Sequence, residues 1–101
     1  MLFAKIDGAS TNNTIVTAPT GDLKIIVVHQ LFMVGASAVN IKFQAGASGT
    51  DLTGAMPYAA NGGIVLPYNR EGWFETSPST LLNMNLSSGV QVSGALGYSL
   101  R

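Results

Sequence analysis

From Val90 to Arg101 the even positions read Val90, Val92, Gly94, Leu96, Tyr98 and Leu100, and the odd ones Gln91, Ser93, Ala95, Gly97, Ser99 and Arg101. Successive side chains of an extended strand point to opposite faces, so this period of two sets one face on a core and leaves the other small or polar. The same alternation runs through Val39, Ile41 and Phe43 against Ala38, Asn40, Lys42 and Gln44. It recurs in Leu82, Met84 and Leu86 against Leu81, Asn83, Asn85 and Ser87. No stretch carries apolar residues at spacings of three and four with capping residues at both ends, so helix is not expected. The chain is thereby confined to β architecture.

Further strands are expected at Leu2 to Ile6, Thr14 to Thr17 and Ile64 to Leu66. They are punctuated by the turn-rich run Asp7 to Asn13 and by Pro19-Thr20-Gly21-Asp22. Ser87-Ser88-Gly89 is short enough to join the last two strands as an antiparallel hairpin. Seven or eight short strands with no linker or repeat, in a chain of 101 residues, indicate one antiparallel β-sandwich domain over residues 1–101, with a jelly roll as one form of it. Leu23 to Val34 differs because both of its faces are apolar, which requires cover on both sides. A neighbouring subunit is the expected second cover, which makes Ile26, Val28, Phe32 and Val34 the candidate oligomer interface. His29-Gln30 interrupts the run and is expected to mark a β-bulge. The longest loop, Gly46 to Gly62, is expected to serve an interface.

Charge supplies the functional constraint. Apolar residues make up 47% of the chain and charged residues 10%, against about 25% charged in ordinary soluble domains. A small domain with so few ionised groups is expected to cover part of its exterior with copies of itself or a larger partner. The formal net charge is zero, and Lys5, Lys24, Lys42, Arg70 and Arg101 are scattered among Asp7, Asp22, Asp51, Glu71 and Glu75. Without clustered cations, nucleic-acid binding by phosphate neutralisation is not expected. A membrane role is not expected either, since the run Ile25 to Val34 is about half a bilayer span and is broken by His29 and Gln30. The N-terminal residues lack the pattern of a secretory signal, so export by that route is not expected. The absence of cysteine removes disulfides and thiolate metal sites.

Residues capable of chemistry are few. His29, the one histidine, lies in the most apolar strand and reads as a hydrogen-bonded structural imidazole. Glu71 and Glu75 flank Trp73 but read as solvated or interfacial, and Asp22 and Asp51 as turn carboxylates. No catalytic, cofactor or metal site is assigned, and an enzyme ranks low. Tyr58, Tyr68 and Trp73 are the candidate partner-binding aromatics, with Trp73 open between core and interface and Phe74 assigned to the core. Asn12-Asn13-Thr14 and Asn85-Leu86-Ser87 match the glycan acceptor pattern by chance. The glycines between Gly46 and Gly63 lack the strand-to-helix context of a phosphate loop.

Ala60-Asn61-Gly62-Gly63-Ile64-Val65-Leu66-Pro67-Tyr68-Asn69, followed by Gly72-Trp73-Phe74-Glu75-Thr76, resembles a pattern in small all-β structural proteins of tailed bacteriophages. Ile6-Asp7-Gly8-Ala9-Ser10 and Gly94 to Tyr98 fit the same pattern. The resemblance implies a capsid decoration, or cement, protein made in the host cytoplasm and located on the virion surface. It further implies a homo-oligomer, most often a trimer, that braces major capsid protein subunits. It carries no residue-level binding motif. A fibre, tail or baseplate module that binds a host-surface glycan through Tyr58, Tyr68 or Trp73 is the alternative.

Overall fold

The computed structural model describes residues 1–20 and 24–101. The alternating segments become ten strands: β1 (Leu2–Gly8), β2 (Asn12–Val16), β3 (Ile26–Gly35), β4 (Val39–Ala45), β5 (Thr50–Asp51), β6 (Met56–Tyr58), β7 (Gly63–Leu66), β8 (Phe74–Glu75), β9 (Leu82–Leu86) and β10 (Val92–Leu100). There is no helix among the described residues. One sheet runs β1-β10-β3-β7, with β8 also on β3. The other runs β2-β9-β4-β5, with β6 also on β4. Every pairing is antiparallel.

Taking β5 with β6 and β7 with β8 as single positions leaves eight, within the seven or eight expected. The chain changes sheets at every step between these positions except from β4 to β5. That path is the jelly roll. The Gly46 to Gly62 segment is thus no free loop, because its two short strands complete the margin of the second sheet on β4.

The core is the layer between the sheets. Ile6, Leu31, Met33, Val92 and Leu96 enter it from the first sheet, and Ile41, Phe43, Leu82, Met84 and Leu86 from the second. The Phe43 ring stacks on Phe74 with centroids 5.2 Å apart. β3 organises the first sheet, since it pairs with β10, β7 and β8. Its register against β10 slips by one residue, with Gly97 opposite Gln30 and Tyr98 opposite Val28, so His29 is the extra residue of a bulge. That slip changes the phase of the pleat. Ile26 and Val28 face the core before it and Leu31 and Met33 after it. The His29 ring is held in place by Nδ1 to the Asn69 carbonyl at 2.9 Å and Nε2 to Ser99 Oγ at 2.7 Å.

Three expectations need correction. The last two strands form no hairpin: β9 lies between β2 and β4, while β10 lies in the other sheet between β1 and β3. Ser87 to Gln91 therefore crosses from one sheet to the other. Ile26 and Val28 are buried in this chain's own core, which removes them from the candidate oligomer interface. Val27, on the outward side of β3, is buried beneath this chain's own Gly72 turn. Gly72 has φ of +91° and packs against Val27 Cγ1, and the next amide, Trp73 N–H, bonds the Val28 carbonyl at 2.8 Å. Only the second half of the doubly apolar strand stays uncovered. Gly21, Asp22 and Leu23, at the expected turn and strand start, lie outside the described residues.

His29→Leu would leave the Asn69 carbonyl and Ser99 hydroxyl without their partner, so a loss of about 1–3 kcal/mol is expected in urea unfolding. Gly72→Ala combines an unfavourable φ with a collision at Val27 and is expected to cost about 1–3 kcal/mol in the same assay.

Candidate functional site

The outer faces of the two sheets have opposite chemistry. On the second sheet the rows are Asn12, Asn85 and Lys42, then Thr14, Asn83, Gln44 and Asp51. Their side chains bond to one another. Asn12 Oδ1 accepts from Asn83 Nδ2 and Asn85 Nδ2, each at 3.1 Å, and Asn83 Nδ2 also donates to Gln44 Oε1 at 3.0 Å. Gln44 Nε2 donates to Asp51 Oδ1 at 2.9 Å, and Lys42 Nζ lies 3.3 Å from the same oxygen. These contacts, led by the Gln44 bond, hold the Asp51 carboxyl below its ordinary value of 3.8. The amides of this face bond to one another, while the buried Asn83 Oδ1 has no partner among the described residues.

On the first sheet, strand register sets Lys5, Ala95, Phe32 and Val65 in one outward row. Phe3, Gly97 and Gln30 form the row on one side of it, and Asp7, Ser93, Val34 and Gly63 the row on the other. Phe3, Phe32 and Val65 are 68%, 55% and 75% exposed, and Val34 is exposed beside them. Ala95 is too small to fill the space between the larger side chains, while Met1 and Gln30 close over the Gly97 backbone. The result is an open groove of about 260 Å³ bordered by Phe3, Gln30, Phe32, Val65, Pro67 and Tyr68. A shallower hollow of about 220 Å³ continues it past Val34 and Gly63. Each is smaller than the roughly 300–1,000 Å³ of small-molecule sites, and the polar side chains lining the first are Gln30 and Tyr68. The face suits an apolar protein surface better than a polar ligand.

The candidate aromatics do not share one surface. Tyr68 and Trp73 both lie on the connection from β7 to β8, at the margin of the apolar face. Tyr68 stacks on the His29 ring at 5.8 Å, and Trp73 Nε1 donates to the Pro67 carbonyl at 2.8 Å, so its polar atom is satisfied within the chain. Tyr58 belongs to the second sheet. It is half-buried, its hydroxyl bonds Met56 Sδ at 3.4 Å, and burial pushes its pKa up. Glu71 and Glu75 are both exposed. Phe32 and Val34 of the expected interface remain on the surface, joined by Phe3 and Val65, which sequence reasoning had not singled out. A Phe on the polar phase of Leu2 to Ile6 was the available signal for Phe3; Val65 had none beyond its place in an apolar run.

A carboxyl whose pKa is lowered by folding contributes stability that is full above its unfolded value and is lost as pH falls through the folded value. Asp51→Asn is therefore expected to lower the unfolding midpoint at pH 7 and to flatten its decline below pH 3.8. Thermal melts across that range check it. Phe32→Ser and Val65→Ser, at exposed positions, are expected to change stability by no more than about 0.5 kcal/mol in chemical unfolding.

Compared with known proteins, the chain matches no family model, no curated protein and no solved structure, so its functional reading rests on the chemistry of its own surface.

Proposed function

We propose that this chain is a non-enzymatic virion structural protein, a capsid decoration protein that seats on the outside of a phage head as a homo-oligomer and braces major capsid subunits. The observation that carries the reading is the contrast between the outer faces, one cross-bonded by its own amides and the other an open patch of Phe3, Phe32, Val34 and Val65. The exposed parts of Phe3, Phe32 and Tyr68 alone amount to about 270–450 Å² at the area an aromatic side chain carries. That is as large as the biggest apolar patch of a typical monomer, about 300–600 Å², and short of the roughly 800 Å² per partner of a standard interface. A patch of this size holds weakly alone and strongly when several copies act together, because each later contact forms at high effective concentration. Such a protein works by adding binding free energy across subunit boundaries, with no covalent chemistry.

The jelly-roll path supports the reading at the level of fold, since viral capsid domains use it, but lectins use it too and fold alone does not select function. The glycan-binding alternative draws support from Tyr68 and Trp73, exposed on one connection. Against it stand the internally bonded Trp73 indole and the scarcity of polar groups in the groove.

The test is co-sedimentation of the purified protein with phage heads stripped of decoration. The wild-type chain is expected to pellet with the shells and raise their disruption temperature. Phe32→Lys and Val65→Lys are expected to weaken retention at least about tenfold with an unchanged melting temperature. No binding to shells, together with glycan binding abolished by Trp73→Ala, would transfer the assignment to the alternative.

A further inference from the structure

β1 is the free margin of the first sheet. Its seven residues, Leu2–Gly8, pair in unbroken register with Tyr98–Val92 on one side, and with no strand on the other among the described residues. An unpaired edge is a row of N–H and C=O groups ready to template another strand, and natural edges are commonly blunted by shortness, bulges or proline. β1 has none of these three devices, though it carries a fourth, charged side chains, in Lys5 and Asp7, whose effect depends on the charge each meets.

Its outward side chains are Phe3, Lys5 and Asp7, and the Lys5 ammonium lies 3.8 Å from the Asp7 carboxylate with both largely exposed. When a strand pairs antiparallel with its own copy about a two-fold axis, the register decides which charges meet. Centred on Lys5 or on Asp7, it opposes like charges. Centred on Ile6, it sets Lys5 of each copy against Asp7 of the other, giving two opposite-charge cross-strand pairs and no like-charge pair. A two-fold axis perpendicular to the sheet also keeps the outer faces of both copies on one side.

We infer that β1 pairs antiparallel with β1 of a second copy about Ile6, joining the two first sheets into one continuous sheet. The interface is isologous and closes at two copies. The two apolar faces become parts of a single surface, which deepens the decoration reading and rests on it for what that surface meets. The sheet margin itself needs only the second copy.

Sedimentation equilibrium of the purified chain at low ionic strength tests the pairing, with urea midpoints confirming that each variant folds. The wild-type chain is expected at twice its 10.5 kDa mass. Asp7→Lys opposes two lysines at both symmetry-related positions and is expected to weaken the dimer about tenfold, as is Lys5→Glu, which opposes carboxylates. The double change Lys5→Asp with Asp7→Lys restores complementarity and is expected to restore the dimer. A monomer at all concentrations, a trimer, or a dimer indifferent to both single changes overturns the inference. Shell co-sedimentation separates the two readings. A monomer that still binds shells overturns the strand pairing alone, whereas a charge-sensitive dimer that ignores shells supports the pairing and overturns decoration.

Discussion

The first sheet depends on a change of phase in the middle of β3. An extended strand presents alternate residues to one face, so Ile26 and Val28 in the core would be followed by Gln30, with Leu31 and Met33 turned outward. The extra residue at His29 absorbs one position and returns Leu31 and Met33 to the core. A bulge in a central strand leaves backbone and side-chain polar groups in need of partners. The imidazole answers that need by bonding the Asn69 carbonyl and the Ser99 hydroxyl together. One irregular residue thus ties β3 to β10 and to the connection after β7, and stacks on Tyr68 at the border of the groove.

From that arrangement follows the division of labour between the faces. Both sheets spend their inward residues on one core, so any further role falls to the outward ones. The second sheet uses them to bond its own strands through Asn12, Asn83, Gln44 and Asp51. The first has glycine and alanine in β10 where the second has asparagine in β9, and it spaces large apolar side chains on either side of them. Each outer face carries one lysine and one aspartate, Lys5 and Asp7 on the first and Lys42 and Asp51 on the second, so the two differ in their neutral side chains, large and apolar on one and amide on the other.

Strand positions were legible in the sequence because period two is written residue by residue. Pairing was not. Alternation tells which side chains turn inward but not whether the next strand lies beside its predecessor or across the core, and Leu82 to Leu86 and Val92 to Leu100 satisfy it equally as a hairpin or as opposed layers. The bulge was legible because His29 and Gln30 are polar within an apolar run. The interface assignment for Ile26 and Val28 failed for a related reason. An apolar residue on each side of a strand demands cover, but the sequence does not say that the Gly72 turn of the same chain supplies it at Val27. Phe3 and Val65 became a surface only once register set them in neighbouring rows, information held jointly by β1, β10, β3 and β7.

Because β1 pairs with β10 alone among the described residues, it finds its partner only after a strand more than 80 residues later has been synthesised. Until then the segment Leu2–Gly8 lacks its sheet partner, and the long loop closure that brings it to β10 must precede its reward. Closing the first sheet is consequently a late step in the assembly of this fold. The interval before closure is the period in which two growing chains have most opportunity to exchange strands with each other.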